Sequence, residues 1–599
     1  MVSIWSKWLG KFSSGEKKGG VLPDRSQELL LDLPRLKGKG ISKYSKKDLE
    51  PRIHFWKSLE LYHADLLRDI DRYLKRINTE PVDDAIRTTW IEQTLKIACP
   101  VIRKIYSEQY KNEALPESHG RREGISAAVN VCNKLSSGYK RQLLNDYSLP
   151  DSRYSGVRQQ VRSNTLRLME LTHMEQRLRS LRYQKLPDAV WRDCNRIFFA
   201  ISRCEDVSEI RPVLPCLQVH LDSKAREMGR IQPQSTSIRD MYLIIQLYGL
   251  MDTNSVSSQN MHLIDAYLSR VVNKLEMKPD DESQLSSEEI IIYSNQKSPA
   301  YYSRQDEKSL KTQTDKNELV SALRVNLAPL ESLLLKEQKK LHSYFDSGQE
   351  DKEKAVTDKE DLARLSIVDV MCDRLHLKQR QEERRKVLGH EILYVYNGFM
   401  QVYKYLVELS AANDEEVHKD LVTDNALREA LAGRSALIAS EVRSSDFGKW
   451  FIFDKSEGGV HIKTEESQFT TEMFVGQLLA FNYTREGLKE PILGYVTRLS
   501  RTTVGEIEVT IRVLSKKPVP TAIQSEFLKK NDMAFPAILL EDGGKQERAR
   551  LILHHSHHLT PGTKIEVELD EEQNQFVIEA ILSLHREFVE YRVSPIKAN

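Results

Sequence analysis

The hydrophobic period of this chain changes once, at about residue 435, and that change limits what each part can fold into. Upstream, apolar residues recur three or four positions apart, as in Leu59, Tyr62, Leu66, Ile70, Tyr73 and Ile77. This spacing lines one face of a helix. Downstream, Ile507, Val509, Ile511 and Val513 alternate with Glu508, Thr510 and Arg512, and Val460 and Ile462 alternate with His461 and Lys463. A period of two buries one face of a sheet. The expected fold is therefore multidomain, a mainly α-helical N-terminal region followed by an all-β antiparallel barrel and a second small β module.

Within 51–278, Asp83 is placed to cap a helix running through Trp90, Leu95, Ile97 and Ile102. Further helical blocks fall near 124–146, 155–182, 187–203, 206–228, 236–249 and 259–276. Pro116, Pro150, Pro187 and the stretch Asp252-Thr253-Asn254 separate them, which suggests a helical-hairpin array without a named repeat. Residues 279–317 are polar and read as a linker, broken by one short strand at Ile290-Ile291-Ile292-Tyr293. A helical region at 318–420 follows, with helices expected at 318–344, 360–387 and 391–409. The last carries Ile392, Tyr396, Phe399, Val402, Tyr403 and Leu406 on one side, as core or a helix–helix seam. The barrel is expected at 435–516, punctuated by Gly476, Gly494 and Gly505 at strand ends. In the C-terminal module, 517–599, a short helical piece at 522–530 precedes five strands.

Residues 1–50 read as a flexible basic tail. At its start, Ile4, Trp5, Trp8, Leu9 and Phe12 fall at helical spacing beside Lys7 and Lys11. That pattern is a short helix docking on its own protein, or one touching an anionic membrane surface through residues 1–12. The lysines also interrupt any signal-peptide core, and no apolar run approaches the ~18 residues of a membrane span.

The 599 residues include 89 Lys and Arg against 87 Asp and Glu, a net charge of +2, which argues against a dedicated nucleic-acid binder. The six cysteines form no CxxC pair and read as free thiols in a reducing, cytoplasmic setting. Cys194, Cys204 and Cys216 lack metal-site spacing. The run His554-His555-Ser556-His557-His558 is richer in ligands, but side chains alternate faces in a strand, so it reads as a polar strand end or loop. No metal and no cofactor are expected.

One stretch has spacing that suggests specific chemistry. Asp454-Lys455-Ser456-Glu457-Gly458-Gly459 lies between β-like segments at 450–454 and 460–463. An Asp, a Ser two residues on, and a glycine pair able to take positive φ make a turn with outward polar groups. Such a turn bonds a planar polar ligand or simply caps a hairpin. Asp454-x-Ser456-x-x-Gly459 resembles the [D/N]xSxxG signature of PilZ domains, which are cyclic di-GMP receptors. Gly476 before the apolar strand 477–481, Gly494-Tyr495-Val496-Thr497-Arg498, and Gly505 before 506–514 follow that family's layout.

The resemblance implies that Asp454 and Ser456 bond a guanine edge or ribose and that Gly458 and Gly459 admit the backbone. It also implies a preceding RxxxR pair for phosphate and the guanine Hoogsteen edge, a task suited to the planar guanidinium. Arg428, Arg434 and Arg443 make no such pair, so Arg434 and Arg443 are assigned to the ligand from a flexible segment. No catalytic residues are expected, because the sequence holds no GxxxxGK[ST], HExxH or GxSxG and no GGDEF- or EAL-type cyclase or phosphodiesterase motif. The functional expectation is a non-enzymatic effector that binds cyclic di-GMP and relays it to a protein partner through the helical region. The alternative is a scaffold whose barrel binds no nucleotide.

Overall fold

The computed structural model describes residues 29–37, 46–59, 61–111, 119–214, 235–281, 284–301, 321–346, 359–375, 385–386, 392–414 and most of 448–525 and 534–596. Two compact units emerge, one built on Met1–Thr253, Ser258–Leu335 and Met371–Leu375, the other on the remainder.

The first unit is helical. Its helices are α1 (Glu50–Ser58), α2 (His63–Thr79), α3 (Asp84–Lys111), α4 (His119–Tyr147), α5 (Asp151–Leu181), α6 (Asp188–Cys204), α7 (Ile238–Leu250) and α8 (Met261–Val271). Asp83 caps α3 as its position predicts, its carboxylate accepting from the amides of Ala85 and Ile86 at 3.0 and 3.2 Å. Helix α4 packs against α2, α3 and α5, and α7 lies on α5 and α6.

Three expectations change here. The block at 206–228 is not helical in its described part, where residues 211–212 form β1 (Arg211–Pro212) against β2 (Ser235–Thr236). The supposed linker supplies structure, because β4 (Glu289–Tyr293) is buried along its whole length. It pairs with β5 (Ala322–Asn326), which also pairs with β3 (Glu276–Pro279). The tail is ordered in part: residues 29–37 run extended along the helices, with Leu29 buried. Residues 1–12 lie outside the described residues.

Helices α9 (Ala328–Asp346) and α10 (Lys359–Leu375) follow, then the short β6 (Arg385–Lys386). Residues 391–409, read as one helix, are two elements from 392 onward. β7 (Ile392–Asn397) ends at Gly398, whose φ of +94° turns the chain into α11 (Phe399–Asp414). β7 then opens the first barrel, so that barrel begins upstream of residue 435. Its other strands are β8 (Gly448–Lys455), β9 (Gly459–Glu465), β10 (Leu478–Asn482), β11 (Ile492–Arg501) and β12 (Glu506–Ser515). They close in the order β8-β7-β10-β11-β12-β9, and β9 returns to β8. β6 adds a short flank to β8.

The second barrel has strands β13 (Pro518–Ser525), β14 (Phe535–Leu540), β15 (Ala549–His554), β16 (Lys564–Leu569), β17 (Glu572–Leu584) and β18 (Phe588–Pro595). It closes in the order β13-β14-β15-β18-β17-β16. The helical piece expected at 522–530 is, as far as 525, the end of β13. The stripe on α11 is a core, but not a helix–helix seam. Phe399, Val402, Tyr403 and Leu406 pack with Leu478, Ala480 and Leu493 of one barrel and Ile538, Leu540, Ile552 and Phe588 of the other.

Candidate functional site

The turn at 454–459 joins β8 to β9 across the seam that closes the first barrel. Ser456 donates its backbone N–H to Gly459 O at 2.8 Å, and Gly458 O accepts from the Val513 amide at 3.0 Å. The glycines do not work as the sequence suggests, since neither has positive φ. Gly459 is instead required by close approach: a Cβ there would sit 2.7 Å from the Ile511 carbonyl oxygen of β12. At Gly458 the space is open within 4 Å. Gly494 likewise falls inside β11, at a register shift against β12, where a Cβ would meet Arg512 O at 2.6 Å.

Asp454 Oδ2 lies 3.2 Å from Nδ1 of His461, its cross-strand neighbour. A bulge between Ile452 and Asp454 shifts the register here. Trp450 and Ile452 of β8 point into the barrel, while Phe451 and Phe453 remain 52% and 50% exposed. His461 meets the Phe453 ring edge-on at 5.3 Å, and Lys455 Nζ sits 5.1 Å above the Tyr483 ring. The turn thus combines a carboxylate, a hydroxyl, an aromatic face and a cation within a few residues.

Arg434 and Arg443 lie outside the described residues. A basic pair comes to the site from residues 385–386, which the sequence reads as the end of the helix at 360–387. β6 pairs with the end of β8, with Arg385 opposite Lys455 and Lys386 opposite Asp454. The residues before it read Arg380-Gln381-Glu382-Glu383-Arg384, an RxxxR spacing ending one residue before β6. The signal was available as that spacing. It was hidden because about seventy residues, including β7 and α11, separate it from Asp454.

Of the histidine run, His557 and His558 lie outside the described residues; among the described residues no group of three or more His, Cys, Asp and Glu could hold a metal ion. His554 Nδ1 lies 2.8 Å from Ser556 Oγ, and burial, with His555 beside it, pushes its imidazole down to about 4. Cys194 donates its S–H to Met169 Sδ at 3.5 Å, and Cys204 lies against the Tyr154 hydroxyl, so both act as core thiols.

The helical unit has its own polar interior. His173 Nε2 and Arg177 Nε lie 2.9 and 2.8 Å from the carboxylate of Asp265, and all three side chains are buried. The Arg177 guanidinium sits 4.1 Å above the Tyr106 ring. Nearby, Glu170 accepts from Arg167 at 2.6 Å and from the Leu214 amide at 2.8 Å, while burial pushes its carboxyl up to about 7.

This helical unit contains the stretch with a known likeness. Residues 62–281 match the family described as cyclic-di-GMP receptor FimW, N-terminal domain. The match covers just over a third of the chain and ends before either barrel. No curated protein and no solved structure matches the chain. Among the described residues no helix is long and apolar enough to cross a membrane.

Proposed function

We propose that the chain is a non-enzymatic cyclic di-GMP receptor that binds its ligand at the β8–β9 turn and relays binding to a protein partner through the helical unit. The observation that carries this reading is the pairing of β6 with β8, which brings the chain at Arg385–Lys386 alongside Asp454 and Lys455. In the sequence an RxxxR pair, Arg380 and Arg384, immediately precedes β6. Independent support comes from the far end of the chain, since the family matched by 62–281 is named for a cyclic di-GMP receptor. Asp454 and Ser456 would read a guanine, while Arg380 and Arg384, rather than Arg434 and Arg443, would hold phosphate. Charge-assisted hydrogen bonds contribute roughly 1.5–3 kcal/mol each.

Calorimetric titration of the full chain with cyclic di-GMP should show saturable binding that disappears in the double variant Asp454→Ala, Ser456→Ala. Arg384→Ala should weaken binding about 10–100-fold. Arg434→Ala and Arg443→Ala should leave it unchanged, and the opposite pattern would return the phosphate role to them. The scaffold alternative has one observation in its favour, that Asp454 is already engaged by His461. A titration without heat at millimolar ligand would select it.

A further inference from the structure

The segment at 29–37 lies along the helical unit in a manner that identifies what the surface beneath it recognises. Leu29 is buried, Leu31 and Leu33 are half-buried, and Leu30 and Asp32 face outward. This alternation is that of an extended strand on an apolar surface. Among the described residues its polar anchors go to main-chain atoms of the segment. Arg196 Nη1 of α6 donates to the Leu30 carbonyl at 2.9 Å. The Asp32 amide donates to both carboxylate oxygens of Asp193 at 3.2 and 3.1 Å. Arg141 Nη2 of α4 donates to the Pro34 carbonyl at 2.6 Å, and the Lys37 amide donates to Thr79 O at the end of α2, also at 2.6 Å.

A surface that reads successive main-chain groups and takes apolar side chains at alternate positions is selective for an extended peptide with little regard to its outward residues. We propose that α2, α4 and α6 form a peptide-binding groove, which residues 29–37 fill in cis in place of an extended, leucine-alternating segment of a partner protein.

Two observations favour a replaceable occupant over a permanent one. All the groove residues fall within 62–281, the stretch matched as one domain, whereas the arm precedes it. The groove is also self-sufficient. Asp193, 1% exposed, keeps Lys140 Nζ at 2.6 Å, and Arg141 keeps the Asn78 carbonyl at 3.1 Å, so departure of the arm strands neither charge. A few main-chain hydrogen bonds and one fully buried leucine are set against the ordering of nine residues, opposing terms of similar size. The arm therefore sits near the balance between docked and free.

The test uses the full chain with Leu29→Asp and Leu31→Asp, which expels the arm, and a fluorescent synthetic peptide with the sequence of residues 27–38. Anisotropy should show saturable binding to this variant and at least about tenfold weaker binding to the parent, whose tethered arm competes at high effective concentration. Adding Arg141→Ala and Arg196→Ala should cost a further tenfold or so. A variant with unchanged circular dichroism and melting that ignores the peptide, or that binds it regardless of the two arginines, overturns the proposal. If the variant does not fold, hydrogen exchange on the parent decides. The Asp32 and Lys37 amides should exchange at least about a hundredfold faster than the core of α4, by local opening. Exchange only on global unfolding would make the arm a fixed part of the domain. A parent that sediments as a dimer, with the variant a monomer, would assign the groove to a second copy's arm and overturn the external partner.

Discussion

Asp265→Ala should destabilise the helical unit by about 3–5 kcal/mol, the usual cost of removing one partner from a buried ion pair. The carboxylate on α8 is 2% exposed and holds His173 and Arg177 of α5 from opposite oxygens. Burial works to raise its pKa, but Arg177 and His173 outweigh that and hold it below the ordinary value. Without Asp265, Arg177 keeps a positive charge at 1% exposure above the Tyr106 ring, with no carboxylate left against its Nε. The interaction belongs to the pair, so Arg177→Met added to Asp265→Ala should recover at least about 1–2 kcal/mol. Urea unfolding followed at 222 nm gives all three values. A loss below about 1 kcal/mol in the single variant would mean that water reaches the guanidinium. The sign with pH also follows: a depressed carboxyl supports the fold above its unfolded pKa, and that support fades as pH falls through the lower folded value.

Strands with one buried face were the easiest elements to read. In β12, Ile507, Val509 and Ile511 are wholly buried while Arg512 is exposed, as the alternation requires. β7 was misread because Ile392, Tyr396, Phe399 and Val402 happen to continue a helical spacing across Gly398. The competing signal was Leu393 and Val395, buried and alternating with Tyr394 and Tyr396, closed by a glycine with positive φ. β13 was hidden by Pro518 and Pro520. Both imino nitrogens point to one side, and β16 pairs only with 523–525, so no ladder is broken there. At the site, the turn was legible because its residues are consecutive. The basic strand was not, because pairing between β6 and β8 is a non-local choice that no short window contains. The polar interior of the helical unit was equally invisible, since His173, Arg177 and Asp265 read as ordinary surface residues until α5 and α8 are packed.

The contribution of the hairpin tip between β17 and β18 to the stability of the barrel pair should be nearly flat between about pH 4.5 and 6.5, for reasons that single substitutions separate. Glu587 accepts from the amides of Phe399 and Leu478 at 2.7 and 2.8 Å, so one carboxylate of the second barrel tethers α11 and β10. Burial pushes its carboxyl up to about 7, against the pull of those two amides and of Arg586. Two residues earlier, His585 packs against Tyr495 and Phe588, and burial, helped by Arg512, pushes its imidazole down to about 3. The signs oppose. A raised acid favours the fold at low pH, and that stability, about 3 kcal/mol, is lost as pH rises from about 4.5 to 7. A lowered histidine favours the fold at high pH, and up to about 5 kcal/mol is lost as pH falls from about 6.5 towards 3. His554, which meets Phe399 edge-on and lies outside the tip, adds a loss of the same sign as His585 that is common to the parent and both variants, so each variant is read as its difference from the parent. Relative to the parent, Glu587→Gln should therefore show a stability that climbs from about pH 4.5 to 7, and His585→Phe one that falls from about pH 3 to 6.5. Thermal melts of the full chain across that range, resolved for the β transition, are the measurement. Profiles of both variants that run parallel to the parent would place the titrating groups elsewhere. Because Glu587 holds the first turn of α11, its protonation acts on the element that follows β7 and precedes the turn proposed to bind ligand. Cyclic di-GMP affinity and the pH dependence of Glu587→Gln should then shift together if the two barrels respond as one.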